Sequence, residues 1–146
     1  MVAYSFQTGF LRPIRAGEKQ QPIRLPRKRH ARAGEELQFF TGPRMKPHRV
    51  GGATCRAVHQ VRLDFAAHQV QLDDTVTIDD PDDLDAFAIR DGFQLPSRVG
   101  GRAWLNMARW WAITHPGQPV FQGVMIDWGE TFEPTPTPTI QEQTNG

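Results

Sequence analysis

"GGRAWLNMARWWAITHPGQPVFQGVMIDWG", residues 100–129, decides the class of the fold because its periodicity changes halfway along. Trp104, Met107, Ala108 and Trp111 recur at steps of three and four, which puts them on one helix face. His115-Pro116-Gly117 ends that helix. "PVFQGVMIDWG" then reads as a strand carrying Phe121, Val124 and Ile126. A helix with an apolar face that delivers the chain into a strand implies helix packed on sheet.

Upstream, "DDPDDLDAFAIRDGF" predicts a second helix with an acidic, proline-containing start that suits the helix macrodipole. Leu84, Phe87 and Ala88 mark its buried face, and Gly92 stops it. "VGGATCRAVHQVRLDFAAHQVQLDDTVTI" supplies two or three strands, with Val58, Val61, Leu63, Val70 and Leu72 facing inward. "RAGEELQFFTG" gives a turn and a strand over Glu36 to Phe40. "TGPRMKPH" is a basic connector.

At the N-terminus "VAYSFQ" reads as a strand. A short helix in "TGFLRPIRAGEK" follows, with Thr8 as N-cap, Pro13 in its first turn and Gly17 at its end. "QQPIRLP" is an edge strand or a loop over the sheet, since Pro22 limits its pairing. Of the paired aromatics Tyr4/Phe6 and Phe39/Phe40, one of each is expected to point outward. The whole order argues a mixed α+β domain over residues 1–129. Residues 130–146, "ETFEPTPTPTIQEQTNG", have no apolar period and predict a flexible Thr/Pro-rich extension.

Composition excludes several classes. No run of 18 apolar residues exists and no charged n-region precedes an apolar stretch, so the expectation is a cytoplasmic chain without a membrane span. The single cysteine, Cys55, cannot form an internal disulfide and reads as a buried, inert thiol. The histidines lack metal-ligand spacing. "DDPDDLD" lacks the glycine and terminal glutamate of a calcium loop. No metal or cofactor is expected.

Net charge is only +1, yet it hides a split. Residues 1–62 carry 13 Lys and Arg against 3 Glu, whereas the remainder carries 4 Arg against 13 acids. An asymmetry of this size suggests a polyanion-facing surface, unless the two halves interleave in space and neutralise each other. "AGEKQQPIRLPRKRH", residues 16–30, is the densest basic stretch. Lys19 there can serve as a point charge, or as a base if burial lowers its pKa. Arg24 offers a planar fork suited to phosphate or a base edge. Arg27, Lys28 and Arg29 extend the positive field, and Arg44 and Lys46 join it from the second basic connector. Trp110, off the apolar helix face, is the tryptophan available for stacking.

Three motifs in order carry a resemblance to a known family. "AGEKQQPIR" resembles a Gly-x-Lys-x-x-Glu-x-Arg signature, with Gly17, Lys19 and Arg24 in register. "AGEELQFF" is similar to a Gly-Asp turn that leads into a barrel strand. "AIRDGFQLPSRVGGRAWLNMARWW" before "PVFQGVMIDW" is similar to an acid-Gly-Phe element, an aromatic-rich helix and a closing strand. Together they cover roughly residues 3–128 and resemble the ASCH superfamily.

That resemblance implies a PUA-like β-barrel of about five to seven strands with two to three flanking helices. It also implies a cleft lined by the Gly-x-Lys loop that takes RNA or a nucleotide-like ligand. Some members resemble ribonucleases, and one branch resembles amidohydrolases that remove the acetyl group of acetylated cytidine. In that branch a Lys, a Thr three residues on and an acid on the later helix form the catalytic set. Carried over, the Lys is Lys19 and the acid is Asp91, while the Thr position holds Pro22. Proline has no hydroxyl and cannot be the nucleophile.

The ribonuclease-like members pair a Lys with hydroxyl-bearing side chains, which brings in Ser97, whose plainer role is to cap the Trp-bearing helix. Binding through Lys19 and Arg24 is therefore the first reading. Hydrolysis of RNA or of a modified nucleoside by Lys19, Asp91 and Ser97 is the second. A small phage or mobile-element factor that docks on a protein partner is the third.

Overall fold

The computed structural model describes residues 1–93 and 101–136. Among them the chain runs β1 (Val2–Ser5), a 3-10 turn (Thr8–Phe10), α1 (Leu11–Arg15), β2 (Ile23–Arg24), β3 (Glu36–Thr41) and β4 (His48–Thr54). It continues through β5 (Ala57–Asp64), β6 (Gln69–Leu72), β7 (Val76–Ile78), α2 (Pro81–Arg90), α3 (Ala103–Thr114), β8 (Val120–Asp127) and β9 (Glu133–Pro134). The class is α+β. No helix among the described residues is long and apolar enough to cross a membrane.

Among the described residues the strands do not close into the one barrel that the resemblance implied. They form two sheets, ordered β1-β3-β4-β9 and β2-β8-β5-β6-β7. The physical reason lies in β8, which is the shared wall of two cores. Its Phe121 and Met125 face α2 and α3, while Val124 and Ile126 face the other sheet. Such a strand is apolar on both faces, which is why "VFQGVMID" shows no clean alternation. β5 pairs with β8 along its whole length, from Ala57 opposite Asp127 to Asp64 opposite Val120.

The helical core joins Leu84, Phe87, Trp104, Met107 and Trp111 to Val61, Leu63 and Val70. Both helices start as their sequences predict or nearly so. Asp80 caps α2, accepting from the backbone N–H groups of Asp82 and Asp83, and Pro81 takes the first helical position. Arg102, not Ser97, is the N-cap of α3, and it brings no side-chain cap bond. Instead the Trp104 N–H donates to Asp85 of α2, which ties the two helix starts together. Arg102 bridges Asp82 and Asp85 across the same gap.

The second core packs Tyr4, Phe6, Leu37 and Phe39 against Val124, Ile126 and Trp128. Tyr4 and Phe6 are both buried, so neither points outward as expected; residues two apart on a strand share a face. Phe39 is buried and Phe40 half-buried, as alternation requires. Thr8 opens the 3-10 turn without capping it. Four strands, not two or three, occupy residues 48–78, beginning at His48, the last residue of the basic connector. Cys55 is buried, and burial pushes its thiol pKa up. Residues 131–136 lie along the first sheet: β9 pairs with β4, and Thr131 bonds to the Thr54 backbone.

β2, a two-residue edge strand, is held to β8 by Ile23 opposite Met125 and Arg24 opposite Val124. Gly123 makes that approach feasible, because a Cβ there would stand 2.3 Å from the Arg24 carbonyl oxygen. Gly123→Ala is therefore expected to cost about 1–3 kcal/mol as an overpacked contact. Gly9→Ala, whose added methyl meets nothing within 4 Å, is expected to stay within about 0.5 kcal/mol. Urea unfolding of the two variants checks the contrast.

Candidate functional site

The loop from Gly17 to Pro22 is pinned at both ends by backbone bonds. The Pro13 carbonyl accepts from the N–H groups of Glu18 and Lys19, at 2.9 and 3.0 Å. Gln20 N–H donates to the Arg90 carbonyl at the end of α2, and Trp128 N–H donates to the Gln20 carbonyl. Ile126 N–H donates to the Pro22 carbonyl. The loop thus stitches α2 to the end of β8 and drives the Lys19 side chain inward. Pro22 is fully buried and contributes a carbonyl acceptor but no hydroxyl.

Lys19 is 3% exposed and Asp91, which follows α2, is 5% exposed. The Lys19 ammonium donates to the Asp91 backbone carbonyl and stands 3.9 Å from Asp91 Oδ1. It also lies 4.6 Å from the centre of the Phe10 ring and 5.7 Å from that of Phe6, both in cation–π range. Gly92 allows this. Its φ is +100°, and a Cβ there would meet Lys19 Cδ and the Phe10 ring at 2.9 Å.

Burial dominates the electrostatics of the pair. It pulls Lys19 down to about 8 and pushes Asp91 up to about 6, each opposed by the charge of the other. Arg24 adds a second positive charge on the same side and is itself lowered by burial. Its Nη2 donates to the Ser5 carbonyl at 2.7 Å, and its guanidinium sits 5.0 Å from the Phe6 ring centre. Among the described residues Asp91 Oδ1 and Gln21 Nε2 are buried without a hydrogen-bond partner. Asp91 Oδ1 thus faces the Lys19 ammonium at 3.9 Å as an ion pair rather than a hydrogen bond.

Lys19, Arg24 and Asp91 line one cavity of about 270 Å³. Aromatic side chains complete it, among them Phe10, Trp110, Trp111 and Phe121, together with His115. His115 stacks on Trp111 with centroids 4.3 Å apart. Its tautomer follows from its neighbour. The Thr114 hydroxyl lies 2.8 Å from the Trp110 carbonyl, which can only accept, so its proton points there. Thr114 Oγ1 is then the acceptor toward His115 Nδ1, also at 2.8 Å. Nδ1 carries the proton, and in the neutral ring Nε2 is left as an acceptor.

Of the seven cationic residues read from the sequence as ligand contacts, Lys19 and Arg24 line the cavity. Arg27 lies over the Tyr4 ring at 4.8 Å and reaches the Ala3 carbonyl, on the neighbouring surface. Arg29 is paired with Glu35 at 2.6 Å, so its charge is matched within the chain. Lys28, Arg44 and Lys46 are exposed and do not line the cavity. Ser97 lies outside the described residues. Trp110 is half-buried and forms a cavity wall rather than a free platform.

Sequence reading missed His115, Phe10 and Phe121. His115 follows Trp111 by four residues, one helical turn, and that spacing was the available signal.

Comparison with known proteins bears on the fold. No family model matches the chain, and no curated protein matches it. Among solved structures it is similar to the crystal structure of ASCH from Zymomonas mobilis, at 13% identity and a TM-score of 0.50, covering 98% of this chain and 76% of that one. It is similar also to a point mutant of that protein, at 12% identity and a TM-score of 0.49, covering 98% and 78%. The chain has an ASCH-type fold.

The buried pair has a signature in stability against pH. Asp91 holds its proton in the folded chain after the unfolded carboxylate has lost it, so stability falls as pH rises from 3.8 to about 6. Lys19 releases its proton in the folded chain before the unfolded amine does, so stability rises again from about 8 to 10.5. The double variant Lys19→Met/Asp91→Asn is expected to gain most over wild type between those two intervals. Denaturant melts across the pH range read this directly; a difference that is flat with pH contradicts the assignment.

Proposed function

We propose that this ASCH-type chain binds RNA or a nucleotide-like ligand in the cavity shared by Lys19, Arg24 and Asp91. The observation that carries the reading is the convergence of two cations and a buried carboxylate on one aromatic-walled hollow. A phosphate suits the cations. Arg24 spends part of its fork on the Ile23 and Ser5 carbonyls and keeps other donors for a bidentate contact. A base suits the rings, since every base has a π-face to stack. The Asp91 carboxylate, which lines the same cavity, is the acceptor that an N–H on that base would meet, an edge that a bare phosphate lacks.

Arg24→Ala is expected to weaken single-stranded RNA binding tenfold or more, matching about 1.5 kcal/mol of charged hydrogen bonding. It should also lower the slope of log affinity against log salt by about 0.7, the share of one phosphate on a single strand. Fluorescence anisotropy between low and moderate salt measures both quantities. Unchanged affinity and slope in Arg24→Ala remove the cavity from the binding site.

A second reading, hydrolysis, is favoured by one observation: burial brings the Lys19 amine close to neutrality, where it can exchange a proton. Pro22 offers no hydroxyl, so water would be the attacking group and neutral Lys19 its base. Release of acetate from N4-acetylcytidine, or of fragments from single-stranded RNA, is the assay. Turnover should vanish in Lys19→Ala; turnover that persists there excludes Lys19 as the base.

A further inference from the structure

The cavity at Lys19 is not isolated. A second hollow, of about 470 Å³, adjoins it and shares Gln7, Phe10 and Trp110 as common lining. The chain itself passes from one to the other, with Asp91 lining the first and Gly92 and Phe93 the second. Between them stands a partition of rings. Phe10 and Trp110 meet edge to face at 5.6 Å, and Phe93 closes on both at the same separation.

The lining of the second hollow has the chemistry of the first in reduced form. It offers aromatic surface from Phe10, Phe93 and Trp110, one cation, Arg12, and the amides of Gln7 and Asn106. No carboxylate of the described residues lines it. Arg12 is exposed on α1 and lines this hollow.

We propose that the two hollows form one site for two consecutive nucleotides of a single strand, split around the Phe10–Trp110 partition. One base enters beside Lys19 and Asp91, the next lies against Phe93 and Trp110, and Arg12 meets the phosphate or base edge on the far side. This rests on the nucleotide reading of the first cavity and adds its substrate class: an oligonucleotide, not a free nucleoside. A duplex is excluded from such a site, because its bases are stacked on each other and not on protein rings.

The test compares two probes of equal charge by calorimetry: the dinucleotide UpU, and uridine 3′-methylphosphate, which keeps the phosphodiester but lacks the second base. UpU should bind at least tenfold more tightly, and Arg12→Glu should bring the ratio of the two affinities toward one. Equal affinities in the wild-type chain overturn the inference while leaving the first cavity standing. A tenfold ratio that survives in Arg12→Glu also overturns it, because the second base then sits elsewhere. Binding of neither probe removes the nucleotide reading itself.

Discussion

A lysine and an aspartate withdrawn from water set the terms for everything around them. Neither charge has more than a few percent of its surface exposed, and the ammonium is 3.9 Å from the carboxylate oxygen. Burial of two ions is costly, and their attraction repays it only with good geometry and further polar partners. Here the Asp91 backbone carbonyl and the Phe6 and Phe10 rings serve Lys19, while Asp91 Oδ1 is left without a hydrogen bond among the described residues. An arrangement of this kind is poor as a device for stability. It suits the proposed ligand instead, for which it would hold a cation at the wall of the hollow.

The architecture around the pair holds it in place. The Lys19 loop bonds at once to the end of α2 and to the β8 region, so it cannot shift without pulling both. β8 is buried on both faces, by the helices on one side and the other sheet on the other, so the loop is anchored to close-packed structure. Gly92 and Gly123 are the close-approach points on either side of the loop. One lets Lys19 and Phe10 pack over the turn after α2. The other lets β2, and Arg24 with it, lie against β8.

Charge distribution tells a different story from charge count. The basic first half of the sequence suggested a broad polyanion-facing surface, yet Arg29 is matched by Glu35, and Arg27 rests on Tyr4 beside the Ala3 carbonyl. The cations that line the hollow are the two least exposed of those expected to bind, Lys19 and Arg24. In a low-dielectric setting a few such groups act more strongly than many solvated ones, since water and salt screen the latter. For the proposed ligand, that means contact with a small number of phosphates rather than a long electrostatic track.

The residues themselves determined the local elements. Steps of three and four placed Trp104, Met107 and Trp111 on one buried face, and Asp80-Pro81 announced the start of α2. Those are properties of short windows, where side-chain spacing and backbone preference act directly. Gly17, Lys19, Arg24 and Asp91 were marked by the resemblance to the ASCH superfamily, not by their spacing. Tertiary structure alone decided that the strands split into two sheets, that Tyr4 and Phe6 both turn inward, and that His115 and Phe121 join the cavity. Each of these depends on which distant segment fills the space opposite, as β8 does for both cores, and no local pattern carries that information.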